Sequence, residues 1–346
     1  MITTNELYND LERKIRCGDL TGKLPSVAQL TRHYGTSHNT VQRAVERLKL
    51  QGIVYGHHGK GVFVCERPEL PAGGKIAVLQ KLENMNNPFY MHLFQYLKER
   101  LCKQDVEIDM ICGFSDSLGQ YNAAIVVDNF LEKQDIAVLK HTLSPEKIIA
   151  LNWDEPGLPS IGNDNRQGGY RSLEYLYERG HRSICLIGSA DQLINTDIFQ
   201  KRWQGVEDFL KEHPDMTLEK LLLKEDQKDR FNEIVELLTD YQKQKGLPEV
   251  IFTFAGYYAL GIITWLQQTH RRVPEDVSLL CYDNVEFATF TNPPLTTVKE
   301  EYELLAEQLE QYILALIRGT PLPEIKPVAP VIMERSSVRD LREIMK

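Results

Sequence analysis

Polar side chains near residue 40 have the types and the spacing that could read a nucleic acid. An apolar face recurs at helical spacing and is formed by Val41, Ala44, Val45 and Leu48. The opposite face presents imidazole, amide and guanidinium groups, carried by His38, Asn39, Gln42 and Arg43. Amide side chains pair with adenine edges, a guanidinium pairs with guanine or phosphate, and the free N–H groups of a helix N-terminus suit phosphate. This pattern predicts a DNA-binding helix, with a merely solvated helix face as the alternative.

The neighbouring segments are those that would hold such a helix in place. Residues 7–15 predict a first amphipathic helix, and Ser26 after Pro25 is a plausible N-cap of a short second one. Ser37 is expected to cap the third helix. Two β-rich runs, residues 53–55 and 62–64, then flank a glycine-rich tip. Three helices and a hairpin are the plan of a winged helix-turn-helix, and the hairpin disfavours the solvated-face alternative.

Three segments of this region resemble the GntR family: GDLTGKLPSVAQL (18–30), TSHNTVQRAVERLKLQGIV (36–54) and GKGVFV (59–64). The resemblance implies that the third helix enters the major groove and that the hairpin, or wing, touches the minor groove or the backbone. Carried over by position, it implies these DNA-binding residues: Ser26, Ser37, His38, Asn39, Thr40, Gln42, Arg43, His57, His58, Gly59 and Lys60. The chain departs from the family's usual residues at Val27, His38 and Gln42. Its operator is therefore expected to differ from the commonest ones.

The distribution of charge agrees with a polyanionic partner for the N-terminal part. Residues 1–75 hold 11 Lys and Arg against 7 Asp and Glu, a net charge of +4, whereas the remainder holds 29 against 42, a net of −13. The N-terminal segment lacks the basic and apolar regions of a signal peptide, and no apolar run approaches the roughly 20 residues that span a bilayer. A cytoplasmic location without a membrane partner is expected.

Metal and enzyme chemistry find no support in the residue spacing. The six cysteines are scattered, without a C-x-x-C pair or metal-ligand spacing, and those in apolar runs are expected to be small buried hydrophobes. No G-x-S-x-G motif and no triad candidate is present. We therefore expect no cofactor, no metal and no enzymatic activity.

The second part of the chain alternates short apolar runs with amphipathic helices. Residues 66–74 contain two prolines and two glycines, which predicts a domain boundary, with the DNA-binding domain at 1–67 and a linker at 68–74. Residues 161–188 form a β-α-β pattern, with paired glycines at 168 and 169. The whole of residues 75–346 predicts an α/β fold with parallel sheets and a ligand cleft at their carboxyl ends.

This part resembles the effector-binding domain of LacI/GalR-type regulators. The matching segments are residues 87–90, 161–188, 201–210, 273–298, 315–323 and 333–338. The resemblance implies a two-lobed, periplasmic-binding-protein-like domain, with crossovers between the lobes near 152–160, 284–296 and 318–326. It also implies these effector-binding residues: Phe89, Tyr90, Asn152, Trp153, Arg202, Tyr257 and Asp283.

Some of these residues have a structural alternative. Instead of binding effector, Phe89 and Trp153 could be core residues. Arg202 and Asp283 could form an ion pair between the lobes. Asp164 and Asn165 are expected to cap the following helix rather than bind effector.

One segment departs from the family in a way that bears on the ligand. Residues 254–258 read FAGYY, where the family usually places Asn-Asp. Losing two polar groups and gaining two tyrosines is expected to reshape that wall of the pocket. One interpretation is that the ligand is a modified or larger saccharide that stacks on Tyr257.

The two resemblances together indicate an effector-responsive transcription factor similar to the arabinose-repressor group. The expected protein is a repressor of carbohydrate-use genes, controlled by a saccharide effector. A homodimer is implied, since two recognition helices about 34 Å apart read a palindromic double-stranded DNA operator. The alternatives are a carbohydrate-binding protein of periplasmic type, which the winged helix disfavours, and a sensor of a non-sugar effector.

Overall fold

The chain is described by a computed structural model that covers residues 2–16, 20–50, 53–57, 61–64, 73–114, 117–224 and 229–343. Its residues cluster into two compact units, one of residues 1–74 with 100–106 and one of residues 75–99 with 107–346. Within the described ranges, no helix combines the length and the apolar character that crossing a membrane requires. The expected linker at 68–74 lies almost wholly outside these ranges.

The N-terminal unit is three helices followed by a hairpin. Ser26 closes a capping box with Gln29 at the start of the second helix, and the Thr40 backbone N–H donates to Ser37 Oγ at 3.1 Å at the start of the third. The two strands pair antiparallel. The elements are α1 (Thr4–Arg16), α2 (Val27–Tyr34), α3 (His38–Leu50), β1 (Val54–His57) and β2 (Gly61–Val64). The predicted winged helix-turn-helix is confirmed.

The first lobe of the second unit contains a five-stranded sheet in the order β4-β3-β5-β6-β7. Every residue of β5 and β6 is buried, as expected for parallel strands that are covered on both faces. The strands are β3 (Gly74–Gln80), β4 (Val106–Cys112), β5 (Ala123–Val127), β6 (Ile148–Leu151) and β7 (Ser160–Ile161), and the helices are α4 (Pro88–Cys102) and α5 (Lys133–Thr142).

The second lobe contains a six-stranded sheet in the order β13-β12-β11-β10-β8-β9, with β13 antiparallel to β12 and the other pairs parallel. Its strands are β8 (Ser183–Ser189), β9 (Thr217–Leu223), β10 (Val250–Thr253), β11 (Ser278–Tyr282), β12 (Thr296–Lys299) and β13 (Val331–Met333). The helices are α6 (Asn165–Glu178), α7 (Ala190–Asn195), α8 (Asp197–Glu212), α9 (Arg230–Lys245) and α10 (Ala259–Gln268). A further helix, α11 (Tyr302–Arg318), follows β12. Both lobes confirm the predicted α/β fold with parallel sheets.

The chain passes between the two sheets at positions that differ in part from those expected. The first crossing is at residues 162–164, because 160–161 still form a strand of the first sheet. The second is at 300–301, since the loop at 284–295 joins two neighbouring strands of one sheet. The expected crossovers at 152–160 and 284–296 are corrected accordingly. The third, at 319–330, overlaps the expected 318–326.

Two glycines allow α6 and α8 to cross at close range. A Cβ added at Gly169 would collide with the carbonyl oxygen of Arg202, and one added at Gly205 would collide with the carbonyl oxygen of Arg166. Any larger residue would therefore push the two helices apart. This contact fixes the backbone of Arg202 against the start of α6.

Candidate functional site

The polar face of α3 is exposed along its first two turns. His38, Asn39, Gln42 and Arg43 are all exposed, whereas Val41, Ala44 and Leu48 on the other side are fully buried at 0% exposure. The packing of this helix therefore leaves the amide, imidazole and guanidinium groups free to face a partner. The arrangement has the geometry of a recognition helix.

Ser26, Ser37 and Thr40 have a structural role at the helix ends in addition to the predicted contact with DNA. Ser26 Oγ donates to Gln29 Oε1 at 2.9 Å, and Ser37 Oγ lies 2.8 Å from Thr40 Oγ1. Their hydroxyls are already engaged, so the groups that remain for a phosphate are the backbone N–H groups of the first helical turn.

The wing is described only in part. His57 is exposed and meets the Phe63 ring edge-on, with the ring centroids 6.4 Å apart. His58, Gly59 and Lys60, which the sequence also assigns to DNA binding, lie outside the described residues.

Arg202 is the centre of a buried polar cluster in the second lobe. It is 3% exposed, and its guanidinium donates to Asn165 Oδ1 at 2.9 Å, to the Phe254 carbonyl oxygen at 2.6 Å and to Glu300 Oε1 at 2.9 Å. The face of the guanidinium lies 3.5 Å from the centroid of the Tyr282 ring. Burial alone would lower the pKa of Arg202, but the negative charge of Glu300 and the other anionic neighbours raise it. The group is a permanent cation, and each of its three nitrogens donates a hydrogen bond to the protein.

Asp283 lies beside this cation at the end of β11. One carboxylate oxygen, Oδ2, accepts from the Gly256 backbone N–H at 3.1 Å, and the other, Oδ1, is 3.5 Å from Arg202 Nη1. Its side chain is 34% exposed, so hydrogen-bond donors from outside can still reach it. Because α8 and β11 belong to the same lobe, the pair does not join the two lobes, unlike the alternative drawn from sequence.

A second polar group lies at the strand ends of the first lobe. Tyr90 Oη donates to Asp128 Oδ1 at 2.5 Å, and Asn152 Nδ2 donates to Tyr90 Oη at 3.2 Å. Asn84 donates to the other Asp128 oxygen at 3.0 Å. Asn152 Oδ1 in turn accepts from the Asn163 backbone N–H at 2.9 Å, in the first crossing segment. Tyr90 and Asn152, both predicted from sequence, are brought together here.

Electrostatics connect the two groups. Burial raises the pKa of Glu300, Arg202 opposes the rise and the charges of Asp283 and Asp128 add to it, so that the pKa is about 7. Burial also raises the pKa of Asp128 to about 6. The carboxylates of the two lobes are therefore within electrostatic range of one another. We call this set of Tyr90, Asp128, Asn152, Arg202, Asp283 and Glu300 the cleft cluster.

Three residues of the cleft cluster have an unusual backbone. Asp128, Asn152 and Asp283 directly follow β5, β6 and β11, and all three have positive φ, at 56°, 65° and 59°. Non-glycine residues rarely adopt this conformation, and such residues concentrate at binding sites. The carboxyl ends of parallel strands are also where ligands bind in α/β folds.

Helix α8 also contacts the first lobe next to the cleft cluster. Asp197 Oδ2 accepts from the Asp154 backbone N–H at 3.2 Å, and Lys201 Nζ lies 2.7 Å from Asp154 Oδ2. Arg202 is the next residue along the same helix. Helix α8 therefore contacts the cleft cluster through Arg202 and the first lobe through Asp197 and Lys201.

The other predicted effector residues have different surroundings. Trp153 is 3% exposed, packs in the core of the first lobe and donates its indole N–H to the Val126 carbonyl oxygen at 2.9 Å, which favours the packing alternative. Phe89 is half-buried and meets the Tyr90 ring edge-on. Tyr257 is 37% exposed, and its hydroxyl accepts from Arg230 at 3.0 Å, while its neighbour Gly256 contacts Asp283.

Four residues of this region were not predicted as effector contacts from sequence. Asp164 caps α6 as expected, but Asn165 is 1% exposed and holds Arg202. Asp128 had a usable signal, since it directly follows the apolar run 123–127. Glu300 stands in the charged run 299–301, which resembles a solvated surface, and Tyr282 resembles the end of a core strand. Among the described residues, no group of His, Cys, Asp and Glu is arranged to hold a metal ion.

Comparison with protein families assigns both parts of the chain. Residues 3–64 match the bacterial regulatory proteins of the gntR family. Residues 173–338 match the periplasmic binding protein-like domain. The first match corresponds to the winged helix-turn-helix, and the second spans the sheet of the second lobe together with α11.

Individual relatives are transcriptional regulators rather than enzymes. The HTH-type transcriptional repressor PurR of Aliivibrio fischeri is 28% identical over 271 residues, which are 73% of this chain and 78% of the relative. A LacI family transcriptional regulator from Enterococcus faecium with bound ribose has a TM-score of 0.63 at 21% identity, over 77% of this chain and 99% of that one. A periplasmic binding protein/LacI transcriptional regulator from Alkaliphilus metalliredigens, complexed with D-xylulofuranose, has a TM-score of 0.62 at 19% identity, over 77% and 99%.

Proposed function

We propose that this chain, in which a GntR-type DNA-binding domain is joined to a periplasmic binding protein-like domain, represses carbohydrate-utilisation genes under the control of a sugar-like effector. The observation that carries the proposal is the presence in one chain of an exposed polar face on α3 and a cleft cluster at the ends of parallel strands. The first suits DNA and the second suits a small hydroxylated ligand.

The cleft cluster has the chemistry that a sugar requires. Asp283 offers an accessible carboxylate for hydroxyl donors, and Asn152 and Tyr90 add an amide and a phenol. Phe89 and Tyr257 offer partly exposed aromatic rings for the C–H faces of a saccharide. Two relatives of this fold are described with ribose and D-xylulofuranose, which supports a carbohydrate as the class of effector.

The proposed mechanism works through α8. An effector that contacts Asp283 would favour the lobe arrangement in which that contact forms. Asp283 lies 3.5 Å from Arg202 of α8, and the same helix contacts the first lobe through Asp197 and Lys201. In a homodimer on a palindromic operator, a change in the lobes would alter the spacing of the two α3 helices. The effector can shift this equilibrium only by its difference in affinity for the two arrangements.

The test begins with the two ligands separately. Selection from genomic fragments identifies the operator, and thermal-shift screening of a saccharide library identifies an effector, since ligand that binds the folded state raises its stability. Operator affinity is then measured by fluorescence anisotropy with and without that saccharide. A selected palindrome whose complex responds to a saccharide supports the proposal.

One variant, compared with the wild type, assigns the two steps to the two surfaces. Asp283→Ala is expected to keep operator affinity and to lose the response to the saccharide. If this variant still responds, the cleft cluster is not the effector site. Failure of the wild-type chain to select any DNA would instead favour a carbohydrate-binding protein without a repressor role.

A further inference from the structure

The guanidinium of Arg202 is occupied by the protein itself. Its three nitrogens donate to Asn165, Phe254 and Glu300, and one face is covered by Tyr282. A guanidinium that binds phosphate or carboxylate of a ligand presents a pair of free parallel N–H groups. In Arg202, the Nη2 group already has a carboxylate partner, because it lies 2.9 Å from Glu300 Oε1.

Negative charge exceeds positive charge in the cleft cluster. At pH 8, above the pKa values of about 7 for Glu300 and about 6 for Asp128, the cluster contains three ionised carboxylates, Asp128, Asp283 and Glu300, and one cation, Arg202. Glu300 is only 8% exposed, so its charge is poorly screened by water. A further anion brought into the cleft would be repelled by the carboxylates, and the cation of the cluster is already paired. Outside the cluster, the opposite charges of Lys81 and Asp197 both reach Asp128 and oppose one another.

Hydroxyl groups of a ligand, unlike an anion, would be attracted by the carboxylates. Carboxylates accept hydrogen bonds and donate none when ionised, so the exposed side of Asp283 calls for donors. The neighbouring groups Tyr90 and Asn152 are neutral and tolerate a neutral partner. The ligand that fits brings several donors and no negative charge.

We propose that Glu300 determines effector specificity: by neutralising Arg202 it restricts the cleft to a polyhydroxylated ligand without negative charge and excludes phosphorylated and carboxylated sugars. This inference rests on the proposed effector site and adds the charge class of its ligand. Selectivity of this kind comes as much from repelling the wrong ligand as from attracting the right one.

The test removes the charge and keeps the shape. Glu300→Gln retains an oxygen that can accept from Arg202 but leaves the guanidinium without a counter-ion at that position. At pH 8, where Glu300 is ionised, we expect inorganic phosphate to leave the melting temperature of the wild-type chain unchanged and to raise that of the variant. We expect calorimetry to show at least about a tenfold gain in phosphate affinity, which corresponds to about 1.4 kcal/mol.

Glu324→Gln is the matched control, because Glu324 is 77% exposed on the α11–β13 connection and pairs only with Lys326 among the described residues. It makes the same chemical change far from the cluster and should behave as the wild type. Asp128→Asn is a second test of the same charge argument in case Glu300→Gln does not fold, as judged by circular dichroism. It removes a carboxylate from the other lobe and should also raise phosphate affinity, by a smaller factor.

The outcomes are decisive. Phosphate binding that appears in Glu300→Gln but not in the wild type or in Glu324→Gln supports the proposal. Phosphate that stabilises the wild type, or that binds neither cluster variant, overturns it. A sugar phosphate that binds the wild type more tightly than its neutral parent sugar also overturns it and leaves the proposed sugar-responsive repressor standing. Absence of any sugar response defeats the proposed function instead, and the phosphate result is read independently of it.

Discussion

The face of α3 and the cleft cluster use the same kinds of side chain in opposite ways. Arg43 and Arg202 both carry a guanidinium, but Arg43 is exposed on one helix whereas Arg202 is 3% exposed and is held by residues from several separate segments. The first surface is built for a partner that arrives with its own charge. The second already pairs its cation with carboxylates of the protein. A cation on the surface can be removed at little cost to the fold, and a buried one cannot.

The largest expected effect is on stability, and it separates the removal of Arg202 from the removal of Arg43. Arg202→Ala leaves Glu300 and Asp283 without their cation in a buried site and is expected to destabilise the chain by about 3–5 kcal/mol. Arg43→Ala should change stability by less than about 0.5 kcal/mol. Denaturant unfolding of the full-length variants measures both, and equal losses would break the comparison.

The dependence of stability on pH should belong to the buried region alone. Burial raises the pKa of Glu300 from an ordinary 4.5 to about 7, with Arg202 opposing and Asp283 and Asp128 adding to the rise. The folded state therefore holds this proton more tightly than the unfolded state. Stability from this group is fully present below pH about 4.5 and is lost as the pH rises to about 7, by up to about 3 kcal/mol.

This pH effect is measured as a difference between two proteins. The unfolding free energy of the wild type minus that of Glu300→Gln should fall between these pH values, and carboxylates that do not interact with Glu300 cancel in the subtraction. A flat difference would mean that Glu300 is ionised throughout.

DNA affinity should depend on the exposed region alone. Arg43→Ala is expected to weaken operator binding by about 1–3 kcal/mol, or roughly 10- to 100-fold, because a guanidinium contact to guanine or phosphate is lost. Fluorescence anisotropy at physiological salt measures the change. Asp283→Ala is the comparison variant and should bind the operator as the wild type does. Unchanged affinity of Arg43→Ala would remove α3 from the DNA interface.

The smallest expected effect concerns the N-cap of α2, the helix that precedes α3. Ser26→Ala breaks the capping box with Gln29 and should cost about 1 kcal/mol of stability. Thermal unfolding followed by circular dichroism measures it. Gln29→Ala breaks the same box from the other side, so its loss should not add fully to that of Ser26→Ala.

The sequence predicted the exposed surface better than the buried one, for a physical reason. A recognition helix is one contiguous element, and the helical spacing of Val41, Ala44 and Leu48 already separates its two faces. The cleft cluster joins residues up to 210 positions apart in the chain, from Tyr90 to Glu300, and no local period connects them. Arg202 and Asp283 were found through family resemblance, while Glu300 was hidden in a charged run. The two crossover positions that were wrong depended on knowing which strands share a sheet.

The positive φ angles of Asp128, Asn152 and Asp283 have a consequence for engineering. Glycine adopts this backbone without steric cost, whereas a residue with a Cβ loses free energy there, about 1 kcal/mol for an ordinary side chain and less for Asn or Asp. Glycine at these three positions would therefore relieve a backbone cost. The same changes would remove two carboxylates and an amide from the cleft, together with the hydrogen bonds that they make with Tyr90, Asn163 and Gly256. Since an unpaired buried polar group costs more than the backbone gains, glycine variants at these sites should be less stable as well as altered in the cleft.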